Sequence, residues 1–257
     1  MELYKDIYTS IIVIGASGDL ARKKTYPALF ELYIHHILPK QFLVMGYARS
    51  AKTNIEFQNY LKLNLIKLYP LKQNDINEFV LNCYYSHGGY DSIEDVHAMN
   101  EIILKLEESY SHELELELKS NNINNNITEF EEVNDNDEQQ QQQNINNNSS
   151  SNQNENKQSK QSNHSNKSNR IYYFAIPPNV FIPIAKTIKN TNFMSTTTGT
   201  NRFIIEKPFG MDYESCYALQ ADLNILLDEE AIYRIDHYLG MYGVYICVLQ
   251  CVILYLY

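Results

Sequence analysis

The chain has 257 residues, with 31 acidic and 21 basic side chains and a formal net charge of −10. This charge argues against a nucleic-acid partner, because proteins that bind phosphate backbones present a basic surface. The first residues lack the basic and then apolar pattern of a secretion signal, and the four cysteines show no clear metal-ligand or disulfide spacing. We therefore expect a cytoplasmic protein with free thiols and no metal site.

Residues 1–120 begin with the pattern of a βαβ unit. Ile11–Ile14 is a β-branched run that ends at Gly15, as in a buried parallel strand. Residues 21–33 carry apolar side chains at helical spacing, and Phe42–Tyr47 is a second apolar run. A strand, a helix and a strand in so few residues predict a right-handed crossover and a parallel sheet. This stretch is the first part of a predicted α/β domain.

Residues 121–169 differ in composition from the rest of the chain. Asn, Gln and Ser dominate, and few apolar residues remain. Such a segment buries too little apolar surface to offset its loss of conformational entropy, so the sequence predicts a disordered insertion. The entropy of closing a loop grows slowly with its length, so the domain can continue at residue 170. An inert surface insertion is favoured over an interaction segment.

The alternation of strands and helices resumes over residues 170–240. Strands are predicted at Ile171–Ile176 and Arg202–Glu206, and helices at Val180–Lys189 and Ser215–Leu227. The pattern predicts a doubly wound α/β sheet, which binds ligands at the carboxyl ends of its strands. Four candidate functional residues follow predicted strands: Gly15, Arg49, Pro177 and Lys207.

The segment Gly15–Ala21 reads Gly-Ala-Ser-Gly-Asp-Leu-Ala and has features of a phosphate-binding loop. Gly15 permits a sharp turn, Gly18 permits close approach of a pyrophosphate, and the following helix directs amides toward it. The segment lacks the full G-x-G-x-x-G pattern, so an ordinary turn capped by Asp19 remains an alternative. Arg49 lies where NAD-binding proteins usually place an acid. An arginine at this position suits the 2′-phosphate of NADP, and a solvated surface arginine is the alternative.

Two later segments carry groups that suit a substrate site. In Glu206–Gly210, Lys207 is positioned by the following proline to contact a substrate hydroxyl or the cofactor, although a surface lysine in a turn is the alternative. In Arg234–Gly240, Asp236 suits orientation of an imidazole, and His237 suits donation to a phosphate. An Asp-His pair with a purely structural role remains the alternative for that segment.

Five segments in this order resemble the signatures of the glucose-6-phosphate dehydrogenase family. They are Gly15–Ala21, Tyr47–Ser50, Ala175–Pro178, Glu206–Gly210 and Tyr233–Gly240. The resemblance implies a Rossmann-like doubly wound parallel sheet with NADP as cofactor. It also implies oxidation of glucose 6-phosphate to 6-phosphogluconolactone, the first step of the pentose phosphate pathway, with NADP accepting the hydride.

The resemblance also implies a role for each matching residue. The cofactor phosphates would lie against Gly15, Ala16, Ser17, Gly18, Asp19, Leu20, Ala21 and Arg22. Arg49 would meet the 2′-phosphate, and Pro178 would belong to a turn beside the cofactor. Phe181 occupies a cofactor-site position where the family often has Tyr. Lys207 would contact both cofactor and sugar and so act in catalysis; His237 and Tyr238 would bind the sugar phosphate. Asp236 would orient the histidine that serves as general base.

The resemblance ends at Gly240. The family has a phosphate-binding lysine at the position of Met241, and residues 241–257 form an aberrant apolar tail. The apolar stretch Val244–Tyr257 is shorter than the roughly 20 residues that span a bilayer, so no membrane partner is expected. The family's second α+β domain, which carries the base histidine and much of the dimer interface, is almost entirely missing. We therefore expect little or no turnover, and the missing domain argues against the family-type homodimer.

Three interpretations follow. The first is a glucose-6-phosphate dehydrogenase sequence shortened by an error in the gene model. The second is a non-catalytic NADP-binding fragment or regulatory protein. The third is another NADP-dependent oxidoreductase family with a similar first βαβ unit, which the segment Arg234–Gly240 disfavours.

Overall fold

The computed structural model describes residues 8–110, 112, 168–191, 199–207 and 209–235. A six-stranded parallel sheet with the order β3-β2-β1-β4-β5-β6 lies at its centre. The strands are β1 (Tyr8–Ile14), β2 (Phe42–Ala48), β3 (Cys83–His87), β4 (Ser168–Phe174), β5 (Asn201–Glu206) and β6 (Ile232–Ile235). This arrangement confirms the predicted Rossmann-like α/β class.

Helices alternate with these strands along the chain. A π-helical turn at Ala21–Thr25 leads into α1 (Tyr26–Ile34), which is followed by α2 (Asn54–Leu68), α3 (Gln73–Leu81) and α4 (residues 93–110). After β4, a 3₁₀ turn (Pro178–Val180) precedes α5 (Phe181–Asn190); α6 (Tyr213–Leu226) and a second 3₁₀ turn (Glu229–Ala231) follow β5. In the described part of the chain, no helix is long and apolar enough to cross a membrane.

The helices cover the sheet on both faces. Every residue of β1, β2 and β4 is buried, as expected for parallel strands with helices on either side. Ile11 and Val13 belong to one apolar cluster with buried residues of α1, α2 and α3. The intervening Ile12 points to the opposite face, because side chains alternate along a strand. The predicted strands at Ile11–Ile14 and Phe42–Tyr47 are confirmed within β1 and β2.

Sequence-specific caps mark where two of the helices begin. Thr53 and Glu56 form a reciprocal capping box at the start of α2, and Asp212 and Ser215 form the equivalent box at the start of α6. Such boxes satisfy amides that have no partner within the helix. Hydrogen bonding by Ser215 lowers the pKa of the Asp212 carboxyl.

The start of β4 corrects the predicted end of the insertion. Residues 168 and 169, assigned to the insertion, are buried and pair with Tyr8 and Thr9 of β1. The sequence pattern did not reveal this strand start, because both side chains are polar. The strand is formed by backbone hydrogen bonds, which do not depend on side-chain chemistry. The sheet and its helices lie in a unit that spans Met1–Glu107 and Lys167–Tyr257. Most of the predicted insertion, and the predicted tail at 241–257, lie outside the described residues.

Candidate functional site

The strand order places a cleft where the chain reverses its direction across the sheet. From β1 the chain adds β2 and β3 on one side, then returns to add β4, β5 and β6 on the other. Sheets of this kind bind ligands at the carboxyl ends of the strands beside the reversal. A cleft of about 690 Å³ occupies this place. It is lined by Gly15, Ser17, Gly18, Arg49, Ser50, Tyr90, Ala175, Ile176, Pro177, Asn179 and Val180.

Gly15 makes the turn at the end of β1 that shapes the floor of the cleft. Its φ of +91° lies in the region that side chains disfavour, and an added Cβ would lie 2.3 Å from the Ala175 carbonyl oxygen. The backbone N–H groups of Gly15 and Ala16 both donate to the Tyr47 carbonyl, at 2.8 and 3.1 Å. This turn therefore brings the ends of β1, β2 and β4 close together.

The helix that follows the turn begins with a locally neutralised acid. Asp19 accepts from Arg22 at 2.7 Å and from Lys23 at 2.9 Å, and these two contacts lower the pKa of its carboxyl. All three side chains are partly or largely exposed. Because the two cations offset the Asp19 charge, the start of this helix can accept an anion with little repulsion from that carboxylate.

Arg49 supplies the positive charge in the lining of the cleft. It follows β2 directly, and its guanidinium carbon lies 5.7 Å from the centre of the Tyr90 ring. Among the described residues, no carboxylate forms an ion pair with Arg49. Burial raises the pKa of the Tyr90 hydroxyl, and the charge of Arg49 partly opposes that increase. The guanidinium is therefore available to bind a second anionic group at this end of the cleft.

The structure brings together only some of the residues predicted to bind the cofactor. Gly15, Ser17, Gly18 and Arg49 line the cleft, whereas Ala16 and Ala21 are buried beneath it. The lining does not include Asp19, Leu20, Arg22, Pro178 or Lys207.

The structure places the predicted cofactor-site residue Phe181 in the hydrophobic core. Its ring is 1% exposed and packs 5.8 Å from that of Phe174, so it supports the sheet and does not line the cleft. The physical reason is its apolar ring: Phe181 opens α5, whose other buried side chains, Ile184 and Ile188 among them, also belong to the core.

Of the predicted substrate residues, the described part of the chain includes Lys207, at the end of β5. Lys207 follows β5, is exposed, and donates its backbone N–H to the Ile235 carbonyl at 3.0 Å. Arg234, in the third predicted segment, lies on β6 and pairs with Glu229 at 2.5 Å. Asp236, His237 and Tyr238 lie outside the described residues.

Tyr90 and Asn179 also line the cleft, and neither was predicted from the sequence. Tyr90 follows Gly88-Gly89 immediately after β3, a strand that was not predicted either. A glycine pair after a five-residue run with two tyrosines is the signal that marks this strand end. Asn179 follows the Pro177-Pro178 pair that was recognised, so its nearness to the site was implicit in that motif.

Known proteins with related sequences fit this architecture. A family model described as "Glucose-6-phosphate dehydrogenase, NAD binding domain" matches residues 12–116 and 105–244. Glucose-6-phosphate 1-dehydrogenase of Aspergillus niger is 35% identical over 244 residues, covering 93% of this chain and 36% of that protein. A chloroplastic relative from Nicotiana tabacum is 33% identical over 234 residues, covering 90% of this chain and 30% of that protein.

Solved structures give the same result. A glucose-6-phosphate dehydrogenase in complex with its substrate glucose 6-phosphate shares 30% sequence identity with a TM-score of 0.66. The match covers 93% of this chain and 38% of that one. The chain thus spans about a third of the length of these relatives. From its sheet order, its cleft and these matches, the chain belongs to the glucose-6-phosphate dehydrogenase family and contains that family's dinucleotide-binding domain.

Proposed function

We propose that this chain binds NADP in the cleft and serves the oxidation of glucose 6-phosphate to 6-phosphogluconolactone, with NADP accepting the hydride. The observation that carries the proposal is the position of Arg49. It stands at the carboxyl end of β2, in the lining of the same cleft as the Gly15 turn. In dinucleotide-binding sheets this is where the protein meets the adenosine ribose.

The charge at the end of β2 favours NADP over NAD. An acid at this point would hold the ribose hydroxyls of NAD and repel a 2′-phosphate. Here the strand is followed by Arg49 and Ser50, and both line the cleft. A planar guanidinium donates two parallel hydrogen bonds to a phosphate, which no ribose hydroxyl can match in strength. The pyrophosphate would lie against Gly15, Ser17 and Gly18. The rest of the loop that holds it would be formed by Ala16, Asp19, Leu20, Ala21 and Arg22. Pro178 and Phe181 would support the wall of the cleft opposite this loop.

The sugar would lie on the β5 and β6 side. Lys207 follows β5 and is exposed. Its ammonium can donate to a sugar hydroxyl, while His237 and Tyr238 would contact the sugar phosphate. Asp236 would orient the histidine that removes the proton from the C1 hydroxyl as the hydride leaves. That one solved relative was obtained with glucose 6-phosphate supports this choice of substrate.

We place the protein in the cytoplasm, as a carbohydrate-metabolising oxidoreductase. A cytoplasmic relative from Arabidopsis thaliana is 34% identical over 236 residues, whereas other relatives are chloroplastic. Fluorescence microscopy of the tagged chain distinguishes these compartments.

The test of the cofactor assignment is a titration of the purified protein with NADP and with NAD. NADP should bind more tightly, and Arg49→Ala should weaken NADP binding by about 10- to 150-fold, because it removes a charge-assisted contact of about 1.5–3 kcal/mol. NAD binding should change little. Lys72→Ala is the matched control, since Lys72 is an exposed cation that pairs with Asp75 on α3, and it should bind both cofactors as the unaltered protein does. Equal affinities that Arg49→Ala leaves unchanged would refute the assignment.

A further inference from the structure

Tyr90 is an aromatic residue in the lining of the cleft, and its ring is close to Arg49, the one cation among the described residues that line it. The Arg49 guanidinium carbon lies 5.7 Å from the ring centre, within the range in which a cation is attracted to the face of an aromatic ring. Arg49 itself is exposed, whereas Tyr90 is partly buried. The contact therefore joins a long, exposed side chain to a more constrained one.

The Tyr90 ring is held in place by its neighbours on β2. Tyr47 packs edge-on against it, with ring centroids 6.0 Å apart and planes at 63°. The Tyr47 hydroxyl also donates to the Gly89 carbonyl at 2.7 Å. Burial raises the pKa of this hydroxyl, so it remains a donor throughout the physiological range. Tyr47 thus fixes both the backbone before Tyr90 and the ring itself.

The loop that carries Tyr90 is also fixed from the side of α4. The Gly89 N–H donates to the Asp95 carboxylate at 2.8 Å, and the Asp95 N–H donates to the Ser92 hydroxyl at 3.1 Å. Gly88 has no room for a side chain, because an added Cβ would lie 2.3 Å from the Asp95 Cβ and 2.6 Å from the Tyr47 hydroxyl. The position of the ring is therefore determined before any ligand arrives.

The segment that carries Arg49 is anchored in a similar way. The Tyr85 hydroxyl donates to the Ser50 carbonyl at 2.6 Å, and the Tyr85 N–H donates to the Asn54 side chain at 2.7 Å. The backbone next to both Arg49 and Tyr90 is thus held by hydrogen bonds. The Tyr90 ring then restricts the conformational freedom that remains to the Arg49 side chain. Restricting a side chain in its binding orientation improves affinity by lowering the entropy lost on binding.

We propose that Tyr90 is a positioning residue for cofactor selectivity: its ring holds the Arg49 guanidinium at the edge of the cleft, in the orientation that receives the 2′-phosphate. The inference rests on the proposed use of NADP and adds a second residue to the selectivity for it. Because Tyr90 acts through Arg49, its effect should depend on the 2′-phosphate and on the presence of Arg49. A ring that merely stacked on the adenine would affect NADP and NAD alike.

The experiment measures the dissociation constants of NADP, NAD, 2′,5′-ADP and 5′-AMP by calorimetry for the unaltered chain and its variants. Tyr90→Ala should weaken NADP and 2′,5′-ADP about two- to fivefold and leave NAD and 5′-AMP unchanged. Tyr90→Phe, which keeps the ring, should bind as the unaltered chain does. Tyr90→Leu keeps apolar bulk without the ring face and should behave as Tyr90→Ala. In the Arg49→Ala background, Tyr90→Ala should have no further effect. Thermal unfolding of each variant checks that the fold is retained.

The outcomes separate this inference from the function on which it rests. If the unaltered chain binds 2′,5′-ADP no better than 5′-AMP, the proposed NADP preference and this inference both fail. If it prefers 2′,5′-ADP and Tyr90→Ala preserves that preference in full, this inference alone fails. Equal weakening of NADP and NAD would also overturn it, by assigning the ring to adenine. An additional loss on Tyr90→Ala without Arg49 would show that the two residues act independently.

Discussion

Gly15 shows how a single residue determines whether the cleft can form. Its backbone occupies a left-handed conformation, with φ of +91°, and the Ala175 carbonyl lies where a side chain would begin. Both constraints come from the same cause, since the ends of β1 and β4 must approach closely for the cleft to have a floor. The lack of a side chain at Gly15 is therefore required by packing as well as by backbone strain.

Replacing Gly15 by Ala should destabilise the fold by roughly 2–3 kcal/mol, because strain and a steric clash act together. Urea denaturation with a circular dichroism signal measures the change in the free energy of unfolding. Gly89→Ala is the matched control: its added Cβ would lie 3.2 Å from the Asp91 carboxylate oxygen and 3.4 Å from the Ser92 Cβ, and its φ is not in the strained region. The same small effect for both substitutions would show that Gly15 is not required in this turn.

At the scale of elements, β4 is joined to β1 and α4 by a buried polar network. Arg170, only 1% exposed, donates to the Glu107 carboxylate at 2.8 and 3.1 Å and to the Asn100 side chain at 2.9 Å. Ser10 of β1 donates to the same carboxylate at 2.6 Å. Glu107 and Arg170 lie 63 residues apart in the sequence, and their bidentate pair joins α4 to β4.

Glu107→Ala should destabilise the fold by about 3–5 kcal/mol, because it leaves the Arg170 charge buried without its carboxylate. Glu101→Ala on the same helix is the control, since Glu101 is exposed and its contact with His97 is 4.0 Å long. That substitution should change the free energy of unfolding by less than about 0.5 kcal/mol. Chemical denaturation of both variants measures the difference. A loss for Glu107→Ala no larger than for Glu101→Ala would mean that the pair does not hold these elements together.

At the scale of the whole molecule, the sequence predicted what depends on local pattern. The apolar runs at Ile11–Ile14 and Phe42–Tyr47 gave two strands, and Gly15, Arg49 and Lys207 were correctly placed at strand ends. The strand β6 was not predicted, because Arg234 was interpreted as part of a segment that suits a substrate site. In the structure its charge is paired with Glu229, while its neighbours Ile232 and Ile235 are buried.

Other features depended on partners distant in the sequence. Arg170 could not be recognised as a core residue, because its carboxylate partner Glu107 lies 63 residues earlier. The nearness of Tyr90 to Arg49 follows from the pairing of β2 with β3, which no local pattern reveals. Phe181 was assigned to the cofactor by family resemblance, whereas its burial is a property of how α5 packs on the sheet.

Hydrogen exchange with and without saturating NADP is the measurement that most directly tests whether this cleft is the cofactor site. NADP should slow exchange in three segments that come together only in the fold: residues 15–18 after β1, 88–90 after β3, and 175–180 after β4. The exposed end of α2 and the start of α3, around Leu71, should exchange at the same rate in both states. Protection confined to another part of the molecule, or no protection at a concentration that saturates binding, would contradict the assignment of NADP to this cleft.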